Sequence, residues 1–339
     1  MVTMQQVADR AKVSISTVSF VVNNTKPVTP ETRERVLQVI DELGYRRNRA
    51  ARALASRKSR ILALIYPMLD HRNNHAFVES AATAAEERGY NLVLWPLHSD
   101  NVTTEIASLI EAGFADGVLL MEVQLDDERV SRLREAQAPF VLIGRTRELA
   151  GIDYVDIDFE RTTQTAVDEL AKLGHRDLAL VLEDLRGTPL AGYAPPIRTE
   201  QAFREAVAAR GLAGTVFHVA HDSGSISALP AELASSAPQT TAIVSMHDAA
   251  SLALLSALPR RGIEVPRDLS IVTIGTTASL AALSQPPLST YEAPGHVLGR
   301  AAAEALIARL EGRDGPATQV LVPCALHPGA SMGPAPARA

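Results

Sequence analysis

Arg46, Arg47, Arg49, Arg52, Arg57, Lys58 and Arg60 fall within residues 46–60, a stretch that contains no acid. Positive charge at that density neutralises phosphates and releases their condensed counterions. It is part of a wider asymmetry. Residues 1–60 hold twelve Lys and Arg against five Asp and Glu, a net of +7, while the remainder holds 21 against 34, a net of −13, within an overall −6. One end of the chain suits a polyanion and the other does not. Other chemistry is missing: there is no Gly-rich phosphate loop, no nucleophile elbow and no metal-spaced His or Cys cluster. The nine histidines are scattered, and His175, directly after Gly174 in a helix-to-strand turn, reads as structural. No catalytic residue, cofactor or metal is expected.

The elements that position these groups follow from periodicity. Met4, Val7, Ala8 and Ala11 fall at i, i+3, i+4 and i+7, one apolar stripe of a helix. Ser14 is placed to cap a second helix in which Val18, Val21 and Val22 face inward. That leaves Ile15, Ser16, Ser19 and Phe20 as a small, mostly uncharged outer face. Thr29 and Pro30 start a third helix, with Val36, Leu37, Ile40 and Leu43 as its buried stripe and Gly44 as its stop. Two helices joined by a short turn and braced by a third is the arrangement of a helix-turn-helix unit.

From Ser59 the period changes. Apolar runs at Ile61–Tyr66, Leu92–Trp95, Gly117–Met121, Phe140–Ile143, Leu178–Leu182, Thr215–Val219, Ala242–Ser245 and Leu269–Ile274 alternate with helical stretches. They read as buried strands of parallel sheets. Gly89, Gly174, Gly211 and Gly262 each stop a helix shortly before the next strand. So many α/β units exceed one ordinary sheet and fit two doubly wound lobes with a cleft between them.

With 339 residues the chain amounts to about two domains, and 46% hydrophobic, 21% charged and 4% aromatic residues describe a globular protein, neither disordered nor fibrous. Cys324, the single cysteine, excludes an intrachain disulfide. The polar start lacks the apolar stretch of a secretory signal, and no apolar run reaches the ~18 residues of a membrane span. A cytoplasmic location, away from the bilayer, is the expectation.

The sequence resembles the lactose-repressor (LacI/GalR) family of bacterial transcriptional regulators over essentially its whole length. The resemblance is carried by Val7-Ala8, Val13-Ser14-Ile15-Ser16-Thr17-Val18-Ser19, Val22-Asn23, Glu31-Thr32-Arg33-Glu34-Arg35-Val36 and Glu42-Leu43-Gly44-Tyr45. Further matches, in order, are Arg52-Ala53-Leu54, Leu173-Gly174-His175-Arg176, Val265-Pro266-Arg267-Asp268-Leu269-Ser270 and Pro287-Leu288-Ser289-Thr290. The resemblance implies an all-α helix-turn-helix headpiece at 1–45, a hinge helix at 46–58 and a two-lobed, periplasmic-binding-protein-like α/β effector and dimerisation domain at 59–339. The N-lobe is expected at about 60–160 plus 292–320, and the C-lobe at about 161–290 plus 321–339. Double-stranded operator DNA, a small-molecule effector such as a carbohydrate derivative, and a second copy of the chain are the implied partners.

Carried over residue by residue, Ile15, Ser16 and Phe20 stand where such proteins read base edges in the major groove. Thr17, Ser19, Asn23 and Tyr45 stand nearer the phosphates, with Asn48 and Arg52 in the segment that follows. Leu54 stands where a leucine is wedged into the minor groove to kink the duplex. Two departures matter. Phe20 replaces a frequent arginine, so bidentate guanine recognition gives way to apolar contact with a thymine methyl. Arg47 replaces the usual proline after Tyr45.

The cleft departs further. Sugar-binding members use an arginine four residues before an aromatic and an aspartate after the strand ending here at Ile274. This chain has Thr199 four before Phe203, Arg198 displaced by one, and Gly275-Thr276 after Ile274. The clamp on vicinal hydroxyls is therefore weakened. The effector contacts expected at strand ends are His75, Phe77, Arg145, Glu183, Asp184, Arg198, Asp222, His247, Asp248 and Thr276, with Arg145 and Asp248 foremost and Arg145 favouring an acidic or longer, partly apolar ligand. A periplasmic-type solute receptor is the alternative the two-lobed part alone would allow; the basic N-terminal segment argues against it.

Binding to a two-fold symmetric duplex should be strongly salt-dependent. If a dimer neutralises roughly 6 to 10 phosphates, affinity falls by about 10³ to 10⁵ between 50 and 200 mM salt. A filter-binding or anisotropy titration with a flat salt response would overturn this reading.

Overall fold

The computed structural model describes residues 2–23, 26–45, 58–66, 75–96, 106, 109 and 112–337. Asn48, Arg52, Leu54 and most of the basic run lie outside the described residues. The chain forms two compact units, residues 1–59 and 60–339.

In the first unit, α1 (Met4–Ala11) opens on a capping box in which the Thr3 hydroxyl accepts from the Gln6 amide at 3.3 Å and Gln6 Oε1 accepts from the Thr3 amide at 2.8 Å. α2 (Ile15–Asn23) opens on Ser14, whose Oγ accepts from the Thr17 amide at 3.1 Å. α3 (Pro30–Leu43) starts at Thr29 and ends at Gly44, whose φ of +60° closes the helix in the left-handed region. Val7, Ala8, Ala11, Val18, Val21, Val22, Val36 and Val39 form the core. The stripe expected on α3 is corrected at one position: Val39 is buried, and Leu37 is 47% exposed. Val36, Val39, Ile40 and Leu43 are the set at i, i+3, i+4 and i+7, and Leu37 falls outside that arc.

The second unit contains two six-stranded sheets. The first is built from β1 (Ile61–Tyr66), β2 (Asn91–Pro96), β3 (Gly117–Leu120), β4 (Phe140–Ile143), β5 (Tyr154–Ile157) and β11 (Gln319–Val322), in the parallel order β11-β5-β4-β3-β1-β2. The second takes β6 (Asp177–Glu183), β7 (Ala213–Val219), β8 (Ala242–Ser245), β9 (Ser270–Ile274), β10 (Ser289–Glu292) and β12 (Ala325–His327), in the order β12-β10-β9-β8-β6-β7, with only β12 antiparallel. The eight expected strands are all present; β5, β10, β11 and β12 are additional.

The chain passes between the lobes three times: from β5 into α6 (Phe159–Lys172), from β10 into α11 (Gly295–Leu310), and from β11 into β12. The second of these passages follows Glu292 and the third follows Val322. On the first sheet, α11 packs against α4 (His75–Glu87) so closely that a Cβ at Gly299 would collide with the Phe77 carbonyl and the Ser80 hydroxyl. α5 (Glu128–Glu135) also serves the first sheet, while α7 (Ala194–Ala209), α8 (Ser223–Ser236), α9 (Asp248–Ala257) and the single-turn α10 (Ala278–Ala281) serve the second. No helix among the described residues is long and apolar enough to cross a membrane.

His175 is fully buried and carries the structural role read from its position. Its Nδ1 lies 2.9 Å from Thr241 Oγ1 and its Nε2 3.0 Å from the Gly333 carbonyl, tying the C-terminal segment to the second lobe. Burial holds its pKa below the ordinary histidine value. A depressed value means that the neutral ring contributes stability above pH ~6.5, which is lost as pH falls through the folded-state value. His175→Ala should cost about 1–3 kcal/mol at pH 7.5. The loss of stability between pH 7 and 5 should also be shallower in the variant, as read by urea denaturation at each pH.

Candidate nucleic-acid interface and ligand cavity

α2 turns Val18, Val21 and Val22 into the core, so Ile15, at 45% exposure, and Ser16 stand outward, with Thr17, Ser19 and Phe20 half-buried beside them. Ser14 Oγ lies 2.7 Å from Ser16 Oγ and 2.8 Å from Thr17 Oγ1, a chain of hydroxyls along the first turn. Lys26 Nζ sits 5.1 Å from the centre of the Phe20 ring, adding a cation–π contact to the aromatic group on this face. Asn23 is the last residue of the helix, and Tyr45 packs on the core of this unit. A face of neutral side chains, with the Lys26 cation placed over the phenyl ring, can enter a groove without burying a negative charge against the duplex.

Arg60 does not extend the basic run. Its guanidinium lies 4.7 Å over the Tyr90 ring and 3.8 Å from Glu311, so its charge is held within the second unit.

Between the two sheets lies a cavity of about 500 Å³, within the size range of small-molecule sites. Phe77, Met121, Glu122, Ile143 and Asp156 line it from the first lobe; Glu183, Leu185, Tyr193, His221, Met246, His247 and Asp248 line it from the second; and Ile157, Phe159 and Ala293 come from the crossings. Four of the ten residues expected from sequence are among them: Phe77, Glu183, His247 and Asp248.

The other six have different work. His75 is exposed on the first turn of α4, 3.7 Å from Glu79. Asp184 is held by Arg186 at 2.6 Å, which brings its pKa down to about 2. Asp222 caps α8 by accepting from the Ser225 amide at 2.9 Å. Thr276 is buried and donates to Asp248 Oδ1, placing that carboxylate. Arg198 donates to Glu160 on the neighbouring α6 and, across to the first lobe, to the Thr146 carbonyl, each at 3.1 Å. Arg145 is 7% exposed and committed twice, donating through Nε to Asp156 Oδ2 and through Nη2 to Glu160 Oε2, both at 2.7 Å. It is a structural cation and does not line the cavity.

The polar lining is therefore carboxylate and imidazole. Burial pushes the Asp156 carboxyl up to about 6, against the opposing pull of Arg145. Burial also holds His247 below the ordinary histidine value, so it is neutral at pH 7. His221 stacks on it with ring centres 5.2 Å apart, and His221 Nδ1 lies 3.2 Å from Glu183 Oε1. Asp156, His221 and Tyr193 were missed from sequence: Asp156 sits inside a strand with no apolar run to mark it, His221 is one residue before the more conspicuous Asp222, and Tyr193 ends an irregular loop. Among the described residues no group of His, Cys, Asp and Glu could hold a metal ion.

The family description "Bacterial regulatory proteins, lacI family" matches residues 3–48, and "Periplasmic binding protein-like domain" matches residues 167–332. The HTH-type transcriptional regulator CelR of Thermobifida fusca is 32% identical over 327 residues, 91% of this chain and 92% of its own. Catabolite control protein A of Priestia megaterium is 30% identical over 276 residues, 79% of this chain and 80% of its own. Among solved structures, a CelR–cellobiose complex superposes with a TM-score of 0.72 at 28% identity, covering 98% of this chain and all of that one. The lac repressor dimer bound to operator and an anti-inducer shares the fold, with a TM-score of 0.84 at 23% identity over 98% and 99% of the two chains.

Arg145→Met should destabilise the protein by about 3–5 kcal/mol, because it leaves buried Asp156 without its cation and Glu160 with Arg198 alone. Adding Asp156→Asn should recover part of the loss. Urea denaturation of the ligand-free protein reads both, and an Arg145→Met protein as stable as its parent would contradict the structural role.

Proposed function

Because the chain belongs to the lacI family of bacterial regulatory proteins, and is a DNA-binding transcriptional regulator with a two-lobed effector domain, we propose that it is a homodimeric repressor controlled by an uncharged, hydroxyl-rich effector such as a carbohydrate derivative. The observation that supports this effector class is the polar lining. Asp156, Glu183, Asp248, His221 and His247 are able to accept from hydroxyls or exchange hydrogen bonds with them, and no Lys or Arg is among the described residues that line the cavity. Phe77, Phe159 and Tyr193 offer apolar faces. Among these described residues an acidic ligand would meet carboxylates without a facing cation, and Arg145, expected from sequence to attract one, is already committed to Asp156 and Glu160. The cellobiose in the CelR complex is a ligand of this chemistry in a relative, which supports a sugar of more than one ring here.

In this reading Ile15, Ser16 and Phe20 contact base edges, while Thr17, Ser19, Asn23, Tyr45, Asn48 and Arg52 hold phosphates and Leu54 wedges the minor groove. A two-fold operator calls for a two-fold protein, hence the homodimer. Control requires that effector and operator prefer different arrangements of the same chain; a change in lobe closure that alters the spacing of paired headpieces supplies that difference.

Calorimetric titration with cellobiose, other neutral sugars, sugar acids and sugar phosphates tests the effector class. A neutral sugar should bind best, and Asp248→Asn should weaken it about tenfold or more, the scale of one charge-assisted hydrogen bond. Tighter binding of a sugar acid or phosphate would overturn the proposal.

A further inference from the structure

The three covalent crossings do not account for all the polar contact between the lobes. Segment 189–198 of the second lobe makes a separate set. The Gly192 carbonyl accepts from the Leu125 amide at 3.0 Å and the Ala194 amide donates to the Val123 carbonyl at 3.1 Å, so that Gln124 and Tyr193 face one another as an antiparallel bridge. Gln124 Nε2 adds a contact to the Pro189 carbonyl at 3.4 Å. One turn into α7, Arg198 donates through Nη2 to the Thr146 carbonyl and through Nη1 to Glu160 Oε1, each at 3.1 Å. The other Glu160 oxygen accepts from Arg145 at 2.7 Å. A single carboxylate thus holds an arginine from each lobe.

We propose that segment 189–198 is a clasp: it holds the lobes together over the cavity before any ligand arrives and parts to let one in, with Glu160 and Arg198 as positioning residues for that closure. Tyr193, at the middle of the bridge, lines the cavity, so the segment is wall and fastening at once. Gly187, at φ +76°, and Gly192, at φ +84°, supply left-handed bends on either side of 188–191. The contacts are polar and few. The backbone bonds exchange with water at small net cost when the lobes separate, whereas Arg145 of the first lobe and Glu160 on α6 would part as charges, which makes that pair the strongest link. Arg198, on the same lobe as Glu160, fixes the carboxylate that takes part in it. A ligand entering a cleft that is already closed most of the time loses little affinity to closure. Breaking the clasp should therefore make association faster and binding weaker.

The inference takes the cavity as the ligand site but is independent of the ligand's chemistry, and its test needs no sugar. Nitroxides on Ala136→Cys in the first lobe and Ala208→Cys in the second, both exposed positions, report the distance between lobes by pulsed electron spin resonance on the full chain, diluted with unlabelled chain. Cys324 is buried, with its thiol pushed up to about 12, and stays unlabelled. Without ligand the parent should give one distance. Glu160→Gln and Arg198→Ala should each add a longer population and speed amide exchange at Leu125 and Ala194 about ten- to a hundredfold, the factor for one charge-assisted hydrogen bond. Arg198→Lys, which keeps the charge and loses the fork, should fall between. Folded variants with the parent's distances and exchange rates would overturn the clasp. Should either substitution cost the fold, a Gln124→Cys/Tyr193→Cys disulfide decides: oxidation must slow exchange along 123–125 and 192–194 relative to the reduced form, and equal rates overturn the proposal.

Discussion

Arg145 cannot leave the interior of the first lobe without stranding Asp156 and leaving Glu160 to Arg198 alone, and the cavity is arranged around that constraint. Asp156 ends up buried in the cavity wall, high enough in pKa to exchange a proton near pH 6. Glu160, at the start of α6, is fixed where the chain first crosses between lobes, and its second oxygen is left to meet Arg198. A buried ion pair of this kind adds little net stability over a well-packed apolar replacement, but removing one member is costly. Its value here is positional. It sets the direction of one cavity carboxylate and the anchor of one contact between the lobes.

The fold was legible wherever burial leaves a one-dimensional trace. β3, β8 and most of β1 are covered on both faces, so their residues are almost uninterrupted Val, Ile, Leu and Ala, and β9 keeps Ile271, Val272 and Ile274 between buried Ser270 and Thr273. β5 carries Asp156 among its four residues, β10 reads Ser-Thr-Tyr-Glu, β12 is Ala-Leu-His, and the edge strand β11 offers only the three apolar residues Val320, Leu321 and Val322. Leu37 shows the same limit in a helix. Both Leu37 and Val39 suit an apolar stripe, and the arc facing α1 and α2 decides between them.

The site was less legible because residue type says what a group can do and not what it already does. Arg145 and Arg198 looked like ligand-binding cations, yet both are spent on Glu160. Asp184 and Asp222 looked like strand-end carboxylates, and one is paired with Arg186 while the other caps α8. His247 and Asp248 were found because they sit at the junction of β8 and α9, where the ends of the parallel strands open onto the cleft. Tyr193 and His221 lie on loops whose path no periodicity predicts.

The charge partition links the two ligands of the protein. The first 60 residues carry +7 and the rest −13, so the field of the effector part repels phosphate while the N-terminal part attracts it. Among the described residues the cavity lining repeats that sign locally, with carboxylates and no Lys or Arg. In the proposed function, phosphorylated or acidic metabolites would be disfavoured in the cavity by the same charge that steers the duplex toward the headpiece. A neutral polyhydroxyl effector would be indifferent to the field and selected by directed hydrogen bonds. Raising salt screens the first interaction and leaves the second almost untouched, which separates operator affinity from effector affinity by a single solution variable.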